Sequence, residues 1–169
     1  MPYGPMNVGM DPLSELAGAE QFEAMLTREE LRRARTDETL AVAVLDLDGL
    51  GEANARHGAA AGTEMQRHCA DALRRSIRGV DELARTGPDE FSVLLHATDA
   101  RSASTWARRF EDTLEDATTT HPAAPLTCAI GIADTTETPT LMQAATRARQ
   151  RMEVVQAVRK LRRTRETGT

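Results

Sequence analysis

An apolar segment that ends in acids, TLAVAVLDLD at residues 39–48, constrains the fold of this chain more than any other feature. It is a continuous run of aliphatic residues rather than an alternation of apolar and polar ones. That pattern predicts a central strand buried on both faces. Helical periodicity precedes it over residues 13–35 and follows it from Ala59 to Ile77. Because such a strand needs helices on both of its sides, the segment predicts a layered α/β domain.

The rest of the chain continues this alternation of strands and helices. Two short strands near 81–85 and 90–95 are joined by a tight turn at Thr86-Gly87-Pro88. After them the pattern predicts a helix over 100–116, the loop TTTHPAAP, a strand over 126–134 and a helix from Pro139 to about Arg163. The order predicts a central mixed β-sheet flanked by helices, with one crossover on each side of the hairpin.

The ends of the chain differ from its middle. Residues 1–10 are rich in Pro and Gly and are predicted to form a disordered lead-in. A single domain is predicted over 11–158, since 169 residues suffice for one core but not for two. Residues 159–169 form a basic C-terminal tail, which we interpret as a solvated, fraying helix end.

Composition excludes several classes of protein. The net charge of -5 argues against nucleic acid as a partner. We find neither an apolar run that could cross a bilayer nor a signal peptide, so we expect a cytoplasmic protein. Cys69 and Cys128 lack metal-ligand spacing and are predicted to be buried free thiols. The four histidines, His96 among them, are scattered without ligand spacing and are interpreted as ordinary residues.

Carboxylates are predicted to gather at one rim of the sheet. Asp46 and Asp48 end the buried strand, and Asp89 and Glu90 open the second arm of the hairpin. If that arm lies beside the buried strand, the acids meet, and oxygen ligands next to phosphate suit Mg²⁺. Two such ions can activate an attacking hydroxyl and stabilise a leaving phosphate. Spacing alone favours a simpler interpretation, in which Asp46 and Asp48 are polar strand ends and Asp89 and Glu90 belong to a solvated turn.

Four ordered segments resemble the GGDEF family, the diguanylate cyclases that make cyclic di-GMP. They are DPLSEL…F at 11–22, LDLDGLGEANARHGAAAG at 45–62, ARTGPDEF at 84–91 and LTCAIGIA at 126–133. The resemblance spans residues 11–155 and implies a GGDEF-type fold, similar to nucleotidyl cyclases and palm domains. A GPDEF sequence stands where the family has its signature turn.

The resemblance implies a role for several residues. Asp46 and the Leu47 carbonyl would be metal ligands, and Asp89 would be a second metal ligand. Glu90 would support catalysis, and Asn54 would contact the guanine base. An active member would take GTP and Mg²⁺ and would work as a homodimer.

The chain departs from the family pattern where the substrate should bind. Thr63 replaces the Asp that accepts from guanine, and a hydroxyl cannot match the paired bonds of a carboxylate. Pro88 replaces the second turn glycine and has no N–H to offer. Glu153 and Ala157 align with the phosphate-binding Lys and Arg, unless a shift of one turn brings in Arg149 or Arg151. Further replacements are Gly51 for a Lys, Ala59 for a His and Gly18-Ala19 for Asn-Arg. We expect little or no cyclase activity.

An Arg-x-x-Asp pair, Arg78 and Asp81, stands upstream of the hairpin. Its position resembles the family's inhibitory site, which binds cyclic di-GMP, and Arg109 lies where the family often adds a second Arg. A guanidinium can pair with guanine, stack on it or bind phosphate. The Arg-x-x-Asp spacing alone is weak evidence for a binding site, because Arg109 and Asp112 have the same spacing. The pair could instead be a surface ion pair, which contributes about 0–1 kcal/mol to stability.

These features lead to one preferred hypothesis and two alternatives. The preferred hypothesis is a degenerate GGDEF domain that binds cyclic di-GMP through Arg78, Asp81 and Arg109 in bacterial signalling. The first alternative is an active diguanylate cyclase that condenses two GTP molecules as a homodimer. The second is a nucleotide-independent module for dimerisation or for docking a protein partner.

Overall fold

The computed structural model describes residues 10–118 and 126–167. The predicted lead-in apart from Met10, and the predicted loop after Thr118, lie outside the described residues. The elements in chain order are α1 (Ala19–Thr36), β1 (Ala41–Leu47), α2 (Leu50–His57), α3 (Ala59–Ser76), β2 (Glu82–Arg85), β3 (Glu90–Leu95), α4 (Ala100–Thr118), β4 (Cys128–Asp134) and α5 (Leu141–Thr167). None of these helices, within the described ranges, is long and apolar enough to cross a bilayer.

The strands form one sheet in the order β2-β3-β1-β4, and the pairings between them are antiparallel. The predicted α/β fold with a central sheet flanked by helices is confirmed, but the pairing is antiparallel rather than mixed. Each helical crossover returns the chain to a strand parallel to the one it left. That strand lies two positions away, because β3 separates β1 from β2 and β1 separates β3 from β4.

Three helix boundaries differ from the predicted ones. The first helix begins at Ala19 rather than residue 13, because the Asp11 carboxylate accepts hydrogen bonds from the Leu13 and Ser14 backbone and holds a turn there. The predicted helix over 59–77 is α3, but an unpredicted helix, α2, precedes it, and Gly58, which separates the two, has a φ of 83°. The last helix continues to Thr167, so most of the predicted tail is helical.

Strand β1 divides the core into two layers. Val42 and Val44 are buried in the layer that includes Phe22 of α1 and Met152 of α5. The alternate side chains of β1, such as Leu45, are buried in the layer formed with α3 and α4. The prediction of a strand buried on both faces is therefore confirmed. Because side chains alternate along a strand, Asp46 continues the row of Val42 and Val44 towards α5.

The two cysteines are buried and are not joined in a disulfide, as predicted. Burial raises the pKa of the Cys69 thiol to about 12. Burial also raises the pKa of Cys128 well above its usual value. Both side chains are therefore neutral thiols at physiological pH.

Close packing of β4 on α5 gives a first testable prediction. A Cβ atom at Gly131 would lie 1.9 Å from the Ala148 carbonyl oxygen and 2.3 Å from the Met152 nitrogen. We expect Gly131→Ala to force strand and helix apart and to lower the free energy of unfolding by about 1–3 kcal/mol in urea titrations. Gly51→Ala is the matched control, because its Cβ would meet nothing within 4 Å. Equal losses in the two variants would contradict this account of the packing.

Candidate functional site

The carboxylates predicted to meet do come together at the end of β1. Asp46 is paired with Glu90 in the β1–β3 register, and the Leu47 N–H donates to the Asp89 carbonyl at 2.8 Å. Burial, then the charges of Asp89, Asp48 and Glu90, raise the pKa of Asp46 to about 6. Its raised pKa reflects a concentration of negative charge that a cation or hydrogen-bond donors can relieve.

Helix α5 supplies donors to two of these acids. The Gln156 amide donates to Asp46 Oδ1 at 2.7 Å. Arg149 binds Glu90 through both carboxylate oxygens, with an Nε–Oε2 distance of 3.1 Å. The Thr86 hydroxyl also donates to Glu90, at 2.6 Å. Since Asp46 and Glu90 are cross-strand partners, their side chains share the face of the sheet that α5 covers.

Asp48 is bound separately, at the edge of β4. Arg159 Nη1 lies 2.8 Å from Asp48 Oδ2, and the Thr127 hydroxyl donates to the same oxygen at 2.8 Å. Arg159 also donates to the Cys128 carbonyl at 2.6 Å. We had assigned Arg159 to a fraying tail, but it anchors α5 to the end of β1. Asp89 is half-buried, and its carboxylate accepts no hydrogen bond from the described part of the chain.

The hairpin turn accommodates the proline that replaces a glycine. The Thr86 and Gly87 N–H groups both donate to the Glu90 carbonyl, at 2.9 and 3.2 Å. The Pro88 carbonyl accepts from Gln66 Nε2 at 2.5 Å and from the side chain of Arg85 at 2.7 Å. Neither Gly87 nor Pro88 has a positive φ, so this turn does not need a left-handed residue. Pro88 nevertheless removes one N–H donor from the rim of the site.

Asn54 is held between α2 and α3. Its Oδ1 accepts from the Gly62 N–H at 3.0 Å, and a Cβ on residue 62 would lie only 2.1 Å from that oxygen. The amide –NH₂ of Asn54 is bonded to no other described residue. Thr63, the residue after Gly62, is half-buried. Asn54 and Thr63 therefore offer an amide donor and a hydroxyl, but no carboxylate.

Arg149 and Arg151, the two arginines of α5 that could replace the family's phosphate-binding cations, lie in different places. Arg149 contacts Glu90, which together with Asp46, Asp48 and Asp89 forms what we call the acid cluster at the end of β1. Arg151 instead binds Glu137, at 2.7 Å, and the Ile132 carbonyl, at 2.6 Å. Glu153 is close enough to Arg149 for its charge to help raise the pKa of that guanidinium, although the hydrogen bond to Glu90 is the main cause. The charge of Arg149 is thus already neutralised by Glu90.

Oxygen atoms that could hold Mg²⁺ are the carboxylates of Asp46 and Asp89 and the carbonyl of Leu47. A set made only of oxygen ligands suits this hard cation. The fit is partial, because the N–H of Gln156 points at Asp46 Oδ1 and would have to turn away.

The Arg78–Asp81 pair forms a compact, locked unit at the start of β2. The Asp81 side chain is only 2% exposed. It accepts from the Arg78 backbone N–H at 2.9 Å, from Arg78 Nε and Nη2 at 3.1 Å, and from the His96 N–H at 3.0 Å. Arg78 Nη2 also reaches the His96 carbonyl, at 2.5 Å, and the Thr98 hydroxyl, at 3.1 Å.

The guanidinium of Arg78 is nevertheless open to ligands. Its side chain is 57% exposed, and Nη1 has no hydrogen-bond partner among the described residues. The hydrogen bond to Asp81 raises the pKa of Arg78, so the group stays charged. Asp81 thus positions an exposed cation instead of offering a free carboxylate. Sequence spacing indicated the pair but not this division of roles.

Arg109 lies exposed on α4, three residues after Trp106. The Trp106 indole donates to the Ser76 carbonyl at 3.0 Å, which holds α4 against the segment that leads to Arg78. No hydrogen bond or ion pair within the described residues joins Arg109 to Arg78 or Asp81. Its part in a common site remains a prediction.

The raised pKa of Asp46 gives a prediction about stability and pH. Because the folded state holds this proton more tightly than the unfolded state, the contribution is present below about pH 4 and is lost as the pH rises through about 6. We expect Asp46→Asn to be more stable relative to the wild type at pH 7.5 than at pH 4.5. After allowance for solvent screening, the stability difference between the variant and the wild type should change by about 1 kcal/mol between these two pH values.

Urea unfolding of both proteins at the two pH values measures this effect. The other titrating groups are common to both proteins and largely cancel in the difference. A stability difference that does not change with pH would show that Asp46 is not perturbed in this way.

Comparison with known proteins identifies the family. The family model described as "Diguanylate cyclase, GGDEF domain" matches residues 8–162. The chain therefore belongs to the GGDEF family.

Relatives of known name are diguanylate cyclases. The chain is 33% identical over 124 residues to diguanylate cyclase DgcP of Pseudomonas aeruginosa, a match that covers 72% of this chain and 18% of the relative. It is 28% identical over 136 residues to diguanylate cyclase DgcS of Shewanella oneidensis, covering 79% and 44%. The chain thus spans less than half the length of either relative.

Solved structures share the fold. The GGDEF domain of DgcB from Caulobacter crescentus, in complex with cyclic di-GMP, aligns with a TM-score of 0.83 at 20% identity, over 92% of this chain and 94% of that one. The GGDEF domain of TpbB (YfiN) from Pseudomonas aeruginosa aligns with a TM-score of 0.74 at 30% identity, over 88% of each chain.

Proposed function

We propose that this GGDEF domain binds cyclic di-GMP through the Arg78–Asp81 site and makes little or no cyclic di-GMP itself. The observation that carries the proposal is the contrast between the two sites. Arg78 presents an exposed guanidinium held in place by a buried carboxylate. The acids at the end of β1 are instead engaged by donors from α5.

The chemistry of cyclic di-GMP matches what Arg78 offers. The ligand carries two guanines and two phosphates, and a guanidinium can pair with the O6/N7 edge of guanine, stack on its face or bind phosphate. Nη1 and the outer face of Arg78 are the parts left for these contacts. Asp81 acts as a positioning residue, since its oxygens already accept hydrogen bonds from Arg78 and His96. Arg109 would add a second cation from α4.

The acid cluster is poorly equipped to condense GTP. Asp46 and Glu90 are bound by Gln156 and Arg149, so Mg²⁺ would have to displace protein donors. Glu153 adds a negative charge where a triphosphate needs cations. Thr63 and Pro88 remove a carboxylate acceptor and an N–H donor.

An active diguanylate cyclase is the second candidate function. It is favoured by the convergence of Asp46, Asp89 and Glu90. Burial, and then the charges of the neighbouring acids, raise the pKa of Asp46, and a bound cation would oppose this effect. Asp46, the Leu47 carbonyl and Asp89 would hold Mg²⁺, Glu90 would support the reaction, and a homodimer would bring two GTP molecules together.

A thermal-shift panel distinguishes these candidates. We expect saturating cyclic di-GMP to raise the melting temperature with and without Mg²⁺, because a ligand that binds only the native state stabilises it. GTP with Mg²⁺ should have little effect. A rise with GTP and Mg²⁺ but none with cyclic di-GMP would favour the cyclase. No response to either nucleotide would favour a docking or dimerisation module.

A further inference from the structure

A second group of ionisable side chains lies at the end of the β2–β3 hairpin that is remote from the turn. Glu29 comes from α1, Glu82 begins β2, and His96 directly follows β3. One ligand atom from each lies within 4.8 Å of the others. We call these three residues the histidine cluster. They are far apart in sequence, so spacing could not identify them.

Two members of the histidine cluster have polar groups that lack a hydrogen-bonding partner within the described residues. The His96 side chain is 6% exposed, and its ring accepts or donates no hydrogen bond within the described residues. Glu38 Oε1 is 3.7 Å from His96 Nδ1, beyond hydrogen-bond range. Glu82 Oε2 is also buried and has no hydrogen-bond partner. Buried polar atoms are normally paired, so this oxygen points to a missing occupant.

Neighbouring arginines do not fill this role. Arg28 binds Glu29 and the other oxygen of Glu82, Oε1. Arg32 binds Glu29 and Glu38. With a neutral imidazole, three carboxylates face two guanidiniums and leave one negative charge. The unpaired atoms, Glu82 Oε2 and the ring of His96, therefore remain available to a cation.

We propose that Glu29, Glu82 and His96 bind a transition-metal dication of the Zn²⁺ class. An imidazole nitrogen with two carboxylate oxygens is a donor set for Zn²⁺, whereas Mg²⁺ prefers oxygen alone. Donors that bind one zinc ion at about 2.0–2.2 Å in a tetrahedron lie about 3.3–3.6 Å apart. The ligand atoms now lie within 4.8 Å of one another, so rotation of the side chains needs to bring them closer by up to about 1.5 Å.

The proposed metal joins three elements. It ties α1 to the beginning of β2 and the end of β3, so binding should stabilise the fold. The two cysteines are not competing ligands, because burial raises the pKa of both thiols. The site is independent of the acid cluster, which lies at the turn end of the same hairpin.

Titration of the whole chain with ZnCl₂, followed by calorimetry and by melting temperature, tests the proposal. We expect one ion per chain at this site and a melting temperature raised by about 3–6 °C at roughly ten times the dissociation constant. His96→Gln and Glu82→Gln should each weaken binding at least tenfold. His68→Gln, which changes a histidine outside the cluster, should leave binding unchanged. Co²⁺ should give visible absorption bands in the wild type that His96→Gln lacks.

Several outcomes would overturn the proposal. They are the absence of zinc binding, equal binding by the wild type and both variants, or loss of binding in His68→Gln alone. If His96→Gln does not fold, Glu82→Gln decides the question.

Discussion

Replacing Arg78 by alanine should weaken cyclic di-GMP binding by about 10- to 100-fold. A charge-assisted hydrogen bond, such as one from the free Nη1, contributes about 1.5–3 kcal/mol, and each 1.4 kcal/mol is a factor of ten in affinity. The folded state should tolerate the change, because the buried Asp81 carboxylate keeps the backbone N–H donors of residue 78 and His96. Isothermal titration calorimetry at one fixed salt concentration measures the loss.

Arg75→Ala is the matched control for this experiment. Arg75 is an exposed arginine at the end of α3, three residues before Arg78. Its replacement by alanine therefore removes the same charge from the same region. We expect the affinity of this variant to stay within about threefold of the wild type, since Arg75 is not among the groups that contact Asp81 or position Arg78. Arg109→Ala should give an intermediate loss if α4 contributes to the site. Equal affinities for the wild type and Arg78→Ala would exclude the proposed site.

The wild-type domain should form cyclic di-GMP from GTP and Mg²⁺ at least about 10³-fold more slowly than an active member of the family. Removing a single preorganised donor from a reaction centre costs about 10²–10³ in rate. This chain has Glu153 and Ala157 at two positions where the family places cations, and Arg149 is already paired with Glu90. Liquid chromatography of the reaction products, with the relative DgcP as reference, measures the rate.

Asp89→Ala is the control for residual activity. Asp89 is one of the proposed metal ligands, so any true turnover at this site depends on it. We expect the wild type and this variant to give the same background. Product that forms with the wild type and disappears in Asp89→Ala would establish the cyclase as the function.

Much of the fold follows from local patterns in the sequence. The apolar run of β1 predicted a strand buried on both faces, and Val44 and Leu45 are indeed buried in opposite layers of the core. The antiparallel pairing was missed because a helical crossover makes the two strands that it connects parallel, but does not determine whether another strand lies between them. Here β3 lies between β1 and β2, and β1 lies between β3 and β4. The turn at residues 11–14 was missed because Asp11 competes with the helix through its side chain.

The site was less predictable than the fold. The meeting of Asp46 with Glu90 followed from the order of the strands, whereas the contacts from α5 depended on its rotation about its own axis. Arg149 and Gln156 are seven residues apart and therefore lie two turns apart on one face of the helix. Motif alignment drew attention to Glu153 instead. The burial of Asp81 depends on the His96 backbone, fifteen residues away, which no local pattern reveals.

Calorimetric titration of cyclic di-GMP into the wild-type protein in the presence of EDTA tests the central claim most directly. Binding at Arg78 requires no metal, whereas binding of a nucleotide at the acid cluster requires Mg²⁺ to offset the clustered carboxylates. We predict saturable binding in EDTA, with an affinity within about threefold of that measured with Mg²⁺ at matched ionic strength. The absence of binding, or binding that appears only when Mg²⁺ is added, would contradict the account.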